Sequence, residues 1–214
     1  MTGQPWPPCQ TPLPIGLCSW GGRARRDSVA HSDRARWDRR YAEPSDRLKR
    51  GPNPLLERYA PRGEGLRALE LACGLGHNAL WLAAQGYTVD ALDISYAALR
   101  HARAEMLRRE LQGVNFIVAD LDEFPLPRCQ YDLVLVFRFL DRRLFPSIRE
   151  RVRPGGLVIY QTFNVRHRAH RPSCSPDHML RLGELPTHFP GWEVLEAHDE
   201  GTLSSFVGRK PAAG

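Results

Sequence analysis

Two acids and two glycines in the middle of the chain fall at a spacing that suits a nucleotide-like ligand. Gly74-Leu75-Gly76-His77-Asn78-Ala79 fits G-x-G-x-x-G/A, Glu70 stands four residues before the first glycine, and Asp93 lies 17 residues beyond Gly76. Glycines in such a turn let the backbone approach a ligand, and a carboxylate at the tip of the next strand can accept both hydroxyls of a ribose. A dinucleotide is served equally well by that fingerprint. Glu70 separates the two. An acid near the end of an apolar strand is costly to bury unless a positive or donor group meets it; the α-ammonium of S-adenosylmethionine (AdoMet) is such a group, whereas a pyrophosphate would be repelled. No Tyr-x-x-x-Lys pair for hydride chemistry is present, since Lys49 and Lys210 sit at opposite ends of the chain. The plainer alternative for Glu70 is an exposed strand-end residue.

Strands and helices marked by the hydrophobic pattern must hold these residues. A short apolar run, Leu66 to Ala72, predicts a buried strand entering the glycine turn; Asn78 to Ala84 predicts a helix closed by Gly86, and Tyr87 to Ile94 a second strand. Ser95 is placed to cap the next helix, in which Leu99, Ala102, Met106 and Leu111 share a face. Val114 to Leu121, Tyr131 to Phe139 and Leu157 to Phe163 read as three more strands. A helix from Leu144 to Val152 stops at Pro154-Gly155-Gly156. Asp177 to Phe189 reads as a helix interrupted at Pro186, and Trp192 to Ala197 with Leu203 to Arg209 as a terminal antiparallel pair. This alternation predicts an α/β fold with a doubly wound, mostly parallel seven-stranded sheet, Rossmann-like, ending in that antiparallel pair.

The remainder sets boundaries. Residues 1–30, rich in Pro, Gly and Arg without apolar periodicity, are expected to be a disordered arm, leaving one domain over 31–211. Within it, 31–62 reads as a cap or lid with a short helix from Asp33 to Tyr41, 65–163 as the cofactor-binding core, and 164–211 as a substrate-side loop, helix and strands. The net charge of +6 raises nucleic acid as a partner, but basic residues alternate with acids, as between Arg23 and Arg50, so a solvated mixed face is favoured. No apolar stretch is long enough for a membrane span. The five cysteines are scattered with no CxxC pair, so reduced thiols and a cytoplasmic location are expected, with a monomer or homodimer as the assembly.

The segment LELACGLGHNALWLAAQGYTVDALDIS resembles the first motifs of class I AdoMet-dependent methyltransferases, above all the tellurite-resistance (TehB-like) group. His77, Asn78, Trp81, Leu82, Ala83, Gly86, Tyr87, Val89, Asp90 and Ala91 stand in step with that group's pattern, as do Trp37 and Tyr41, the PNPLL segment and the RPGG turn. The resemblance covers roughly residues 37–163 and departs beyond them. It implies that Glu70, Gly74 and Gly76, with Ala72 and Asn78 of the same turn, hold the methionine part of AdoMet. Asp93 with Ile94 would hold the ribose and Asp120 with Leu121 the adenine edge, while Phe137 and Arg138 would lie beside the departing methyl group. Trp37 and Tyr41 would form an aromatic lid.

Alternatives stay open at several of these positions. Asp120 in a strand-end cap, Arg138 in an ion pair with Asp141 or Glu150, and Trp37 and Tyr41 in simple helix packing each explain the residue without a ligand. His167, His170, Cys174 and His178 have spacings reminiscent of metal ligands but match no standard finger, and no metal is expected. The expected activity is in-line transfer of a methyl group from AdoMet to a small acceptor, such as a thiol, a metalloid oxyanion or another small anion, with Arg138 orienting it. An RNA or protein methyltransferase and a non-catalytic AdoMet-binding protein are the competing readings, with an NAD-binding protein as a minor fourth.

Overall fold

The computed structural model describes residues 26–43 and 51–212. The sheet is built from apolar runs that have nowhere to go but inward. β1 (Arg67–Leu71), β2 (Thr88–Asp93) and β4 (Tyr131–Phe137) are buried along almost their whole length, as strands covered on both faces must be. With β3 (Val114–Val118), β5 (Val152–Phe163), β6 (Glu193–Glu200) and β7 (Leu203–Arg209) they form one seven-stranded sheet in the order β3-β2-β1-β4-β5-β7-β6. The first five strands run parallel, and β7 lies antiparallel to both β5 and β6. The predicted architecture is therefore present, including the terminal antiparallel pair.

Helices α1 (Arg26–Tyr41), α2 (Pro54–Tyr59), α3 (His77–Ala84), α4 (Tyr96–Arg108), α5 (Phe145–Arg151) and α6 (Glu184–Thr187) complete the fold. One face of the sheet packs Ala68, Leu135 and Ile159 against Leu56 of α2, Leu82 of α3 and Leu99 of α4. The other packs Leu71, Val136 and Tyr160 against Phe145 and Ile148 of α5 and Leu185 of α6. The chain doubles back between β1 and β4, so the crevice at the carboxyl ends of those two strands is where an open α/β sheet binds its ligand.

Four expectations need correction. Residues 26–30, assigned to a disordered arm, belong to α1, which starts seven residues before Asp33; residues 1–25 lie outside the described residues. The segment from Asp177 to Phe189 is no continuous helix. Pro176–His178 forms a single 3-10 turn, Gly183 adopts a left-handed φ of 73° that ends any helix there, and α6 is four residues long. The Pro154-Gly155-Gly156 turn lies inside β5 as an irregularity opposite Tyr131 to Leu133, because Gly155 N donates to Lys210 O and Gly156 O accepts from Lys210 N. Finally, Cys73 and Cys174 carry free thiols, but Cys129 is disulfide-bonded. Among the described residues no helix is long and apolar enough to cross a membrane.

Candidate cofactor and acceptor site

Helix α3 begins at a glycine, so its N-cap residue, Gly76, has no side chain with which to satisfy the first free N–H groups. Glu70, at the end of β1, does this instead. Its Oε2 accepts from Ala79 N at 3.0 Å and its Oε1 from Asn78 Nδ2 at 2.7 Å. The carboxyl group is buried, 2 % exposed, and burial pushes its pKa up to about 7 against the pull of those two donors. Glu70 is thus not an exposed strand-end residue. It is a buried acid, in no ion pair with any described residue, beside the glycine turn, and that is an environment a cationic ligand relieves and a pyrophosphate worsens.

Asp93 faces the same turn from β2. Its Oδ2 accepts from Gly74 N at 2.7 Å and its Oδ1 from Ser95 N at 2.8 Å, and burial again raises its pKa while the two N–H donors oppose the rise. Each oxygen keeps a further lone pair for a hydroxyl donor. Gly74 and Gly76 have left-handed φ values of 54° and 68°. A Cβ at Gly74 would lie 3.1 Å from the hydroxyl oxygen of Tyr41, and one at Gly76 3.1 Å from Ala102 and Phe116. Ala72, which opens the turn, also takes a left-handed φ of 54°, a conformation that strains a residue carrying a Cβ.

Above the turn lies α1. Trp37 and Tyr41 stack at 6.1 Å between ring centroids, with the guanidinium groups of Arg36 and Arg40 near the Trp37 ring. What docks the helix is Asp38, between them: its Oδ1 accepts from Ser95 Oγ at 2.7 Å and from Ala97 N at 3.0 Å, at the N-terminus of α4. Arg34 Nε adds a donor bond to the carbonyl of Ile94 at 3.4 Å. Ser95 caps α4 through Ala98 N at 3.1 Å, as the sequence predicts.

The remaining candidates divide. Asp120 follows β3 and its Oδ1 accepts from Asp122 N at 3.0 Å, the strand-end turn that was the alternative to adenine contact, while Leu121 is buried in the core. Phe137 is half-buried at the end of β4. Arg138 is exposed with a left-handed φ of 57°, and its backbone N donates to Gln161 O at 2.8 Å. The alternative ion pairs are taken by others, because Asp141 pairs with Arg143 and Glu150 with Arg151. No group of His, Cys, Asp or Glu among the described residues could hold a metal ion.

Three residues of the site escape the sequence reading. Asp38 is one. Asn53 is another: it caps α2 through Leu55 N, its N donates to Asn78 Oδ1 at 2.8 Å, and its Nδ2 to Gln161 Oε1 at 2.9 Å. Gln161, the third, passes the chain to Ser205 Oγ at 2.8 Å. Only Asn53, inside the PNPLL segment, leaves a sequence signal: a cap residue followed by Pro at the first helical position marks a helix start.

Residues 68–156 match the family model of a methyltransferase domain. The fold is that of the class I methyltransferases. Among curated relatives, the chain is 31% identical over 139 residues to hemagglutinin 1 of Eikenella corrodens and 29% identical over 147 residues to the ubiquinone biosynthesis O-methyltransferase of Escherichia coli. Those matches take in 61% and 64% of this chain but only 45% and 61% of the relatives' own lengths. The crystal structure of TehB from Haemophilus influenzae superposes with a TM-score of 0.62 at 16% identity, covering 83% of this chain and 66% of TehB, a likeness of fold. The cofactor that goes with such a methyltransferase domain is AdoMet, and the buried acid beside the glycine turn, hydrogen-bonded but in no ion pair with a described residue, fits its ammonium group.

Proposed function

We propose that this protein transfers the methyl group of AdoMet to a small acceptor, such as a thiol, a metalloid oxyanion or another small anion. The observation that carries the reading is Glu70, a buried carboxylate facing the glycine turn of a methyltransferase domain, without a cationic partner among the described residues. When bound, AdoMet supplies an electrophilic methyl group on a sulfonium, so the protein's task is alignment and exclusion of water. Glu70, Gly74 and Gly76, with Ala72 and Asn78, hold the methionine end; Asp93 and Ile94 receive the ribose; Asp120 and Leu121 border the adenine. Tyr41, close over Gly74, and Trp37 stacked on it cover the turn. Arg138 orients the acceptor, since its guanidinium is exposed at the carboxyl end of β4 and makes no ion pair with a described residue.

The ubiquinone-pathway relative, a methyltransferase of a small molecule by name, supports a small acceptor over a macromolecular one. The residues in step with the TehB-like pattern between Leu69 and Ser95 support a soft anion as the first acceptor to try. The test is methyl transfer from labelled AdoMet to a panel containing 2-mercaptoethanol, selenite, tellurite and simple carboxylic acids, run beside Arg138→Gly. Glycine relieves the left-handed backbone while removing the guanidinium. Turnover with an anionic member, with KM raised about tenfold or more in the variant at unchanged AdoMet affinity, supports the reading. AdoMet binding without transfer to any of them contradicts it and favours a non-catalytic AdoMet-binding protein.

A further inference from the structure

The segment after β5 presents positive charge that no acid answers. Residues 165–182 carry Arg166, Arg168, Arg171 and Arg181 against a single acid, Asp177, which is itself engaged by Ser175 Oγ at 3.3 Å. All four arginines are exposed, and none pairs with a described acid. Exposed arginines elsewhere are held: Arg108 and Arg109 pair with Glu105, and Arg143 with Asp141 and Asp122.

The two ends of the segment are pinned together, which gathers part of this charge in one place. Leu180 N donates to Phe163 O and Val165 N to Leu180 O, both at 2.9 Å. Asp199 joins the same two ends, since its carbonyl accepts from Arg166 Nη1 at 3.3 Å and its Oδ2 from Gly183 N at 2.7 Å. Arg142 fixes the returning chain by donating to the carbonyls of Asp177 and Met179 and pairing with Glu184 at 2.6 Å. Met179 and Leu180 are buried there, yet Val165 and Leu182 are 43 % and 44 % exposed. Two aliphatic side chains thus stand in water beside Arg166 and Arg181, and the turn from Val165 to Ala169 adds Arg168. An exposed leucine or valine by itself is ordinary. Joined to unanswered arginines on a fixed base, the pair has the composition of a membrane-surface patch.

We propose that this patch docks the protein on an anionic lipid surface. The guanidinium groups meet lipid phosphates, while Val165 and Leu182 enter the boundary between headgroups and acyl chains. Nucleic acid is the other polyanion such charge could serve, but single strands are gripped by open aromatic faces, and the half-buried Phe163 ring beside the patch is covered by His167, 4.0 Å away between centroids. β5 runs parallel to β4, so its carboxyl end, from which the patch extends, lies at the sheet edge where the crevice opens. Docking turns that edge toward the bilayer, whatever acceptor the protein methylates.

The test is co-sedimentation of the full chain with phosphatidylcholine vesicles containing roughly one third phosphatidylglycerol, beside pure phosphatidylcholine vesicles and a single-stranded oligouridylate. The protein is expected to partition onto the anionic vesicles about tenfold or more better than onto the neutral ones, and to come off as salt is raised. Replacing Arg168→Gln and Arg171→Gln together should weaken that partitioning about 20-fold or more, at roughly fivefold per charge. Leu182→Ser should weaken it about fivefold. These exposed side chains are remote in role from the glycine turn, so both variants should keep the wild-type Tm and a calorimetric Kd for AdoMet within about twofold, which separates lost docking from lost folding. Equal binding to the two kinds of vesicle, or to neither, overturns the proposal. So does a Leu182→Ser variant that partitions like wild type, since charge alone would then explain the attraction. Binding of the oligouridylate in place of the anionic vesicles overturns it in favour of nucleic acid.

Discussion

The backbone amide of Asn53 donates to Asn78 Oδ1 at 2.8 Å, and by doing so fixes which way the Asn78 amide faces. With its oxygen committed to Asn53, Asn78 can only present its NH2 to Glu70. The Asn53 side chain in turn donates to Gln161, and Gln161 to Ser205. A single polar chain thus runs from the cofactor turn at the end of β1 to the acceptor-side strands β5 and β7. Such chains strengthen when every member is satisfied.

Asn53→Ala removes the cap of α2 and the side-chain link to Gln161, while the backbone N–H that meets Asn78 remains. The expected loss is about 1–2 kcal/mol, or a fall in Tm of about 2–8 °C for a domain of this size. AdoMet affinity should fall modestly with it, because uncapping α2 loosens the backbone N–H that turns the Asn78 amide toward Glu70. Thermal melts with and without AdoMet check both, and a variant with wild-type melting and affinity would show that the chain carries neither function.

Glu70 makes AdoMet binding pH-dependent. Its pKa in the folded protein is raised from 4.5 to about 7, so the native state holds a proton that the unfolded chain has lost, and the contribution to stability declines as pH rises from about 4.5 to about 7 and is flat above. A cationic ligand favours the ionised form and drives that proton off. Calorimetry at pH 6 in buffers of different ionisation enthalpy should therefore show release of most of one proton per AdoMet bound, falling towards zero at pH 8. In Glu70→Gln the release should vanish and affinity drop about tenfold or more. Equal proton release at both pH values would contradict the role given to Glu70.

Ala72 sits at a left-handed φ of 54° that glycine adopts freely. Ala72→Gly should therefore raise stability by about 1 kcal/mol, seen as a Tm gain of about 2–4 °C. A lower Tm would mean that the methyl group's packing against the core outweighs the backbone strain.

Asp38 holds α1 down on α4. Asp38→Ala frees Ser95 Oγ and Ala97 N, so AdoMet affinity should weaken several-fold while the melting of the sheet domain changes little. Limited proteolysis should then cut within α1, and protection equal to wild type would place the docking elsewhere.

How much of this could be read from the chain depends on what each residue answers to. The parallel strands were legible because Leu69, Leu71, Val134 and Val136 have to be buried, and the glycine turn because Gly74 and Gly76 stand at a fixed distance from Glu70 and Asp93. Helix α1 was cut short because arginines dominate it and leave no apolar stripe to follow. The region from Asp177 to Phe189 misled for the opposite reason. Its apolar residues suit a helix, but Glu184 is held by Arg142 at 2.6 Å and by Arg181 N at 2.7 Å, long-range and turn contacts that no local pattern reports. Asp38 and Gln161 likewise act on partners 57 and 44 residues away.

The most direct test of the central claim is calorimetric titration of the protein with AdoMet, S-adenosylhomocysteine and NAD, repeated with Asp93→Ala. The account expects the first two to bind and NAD not to, with binding weakened about 100-fold or more in the variant, because Asp93 fixes Gly74 N and is the residue proposed to receive the ribose. Preference for NAD, or AdoMet binding indifferent to Asp93, would contradict it and leave a methyltransferase fold without its cofactor.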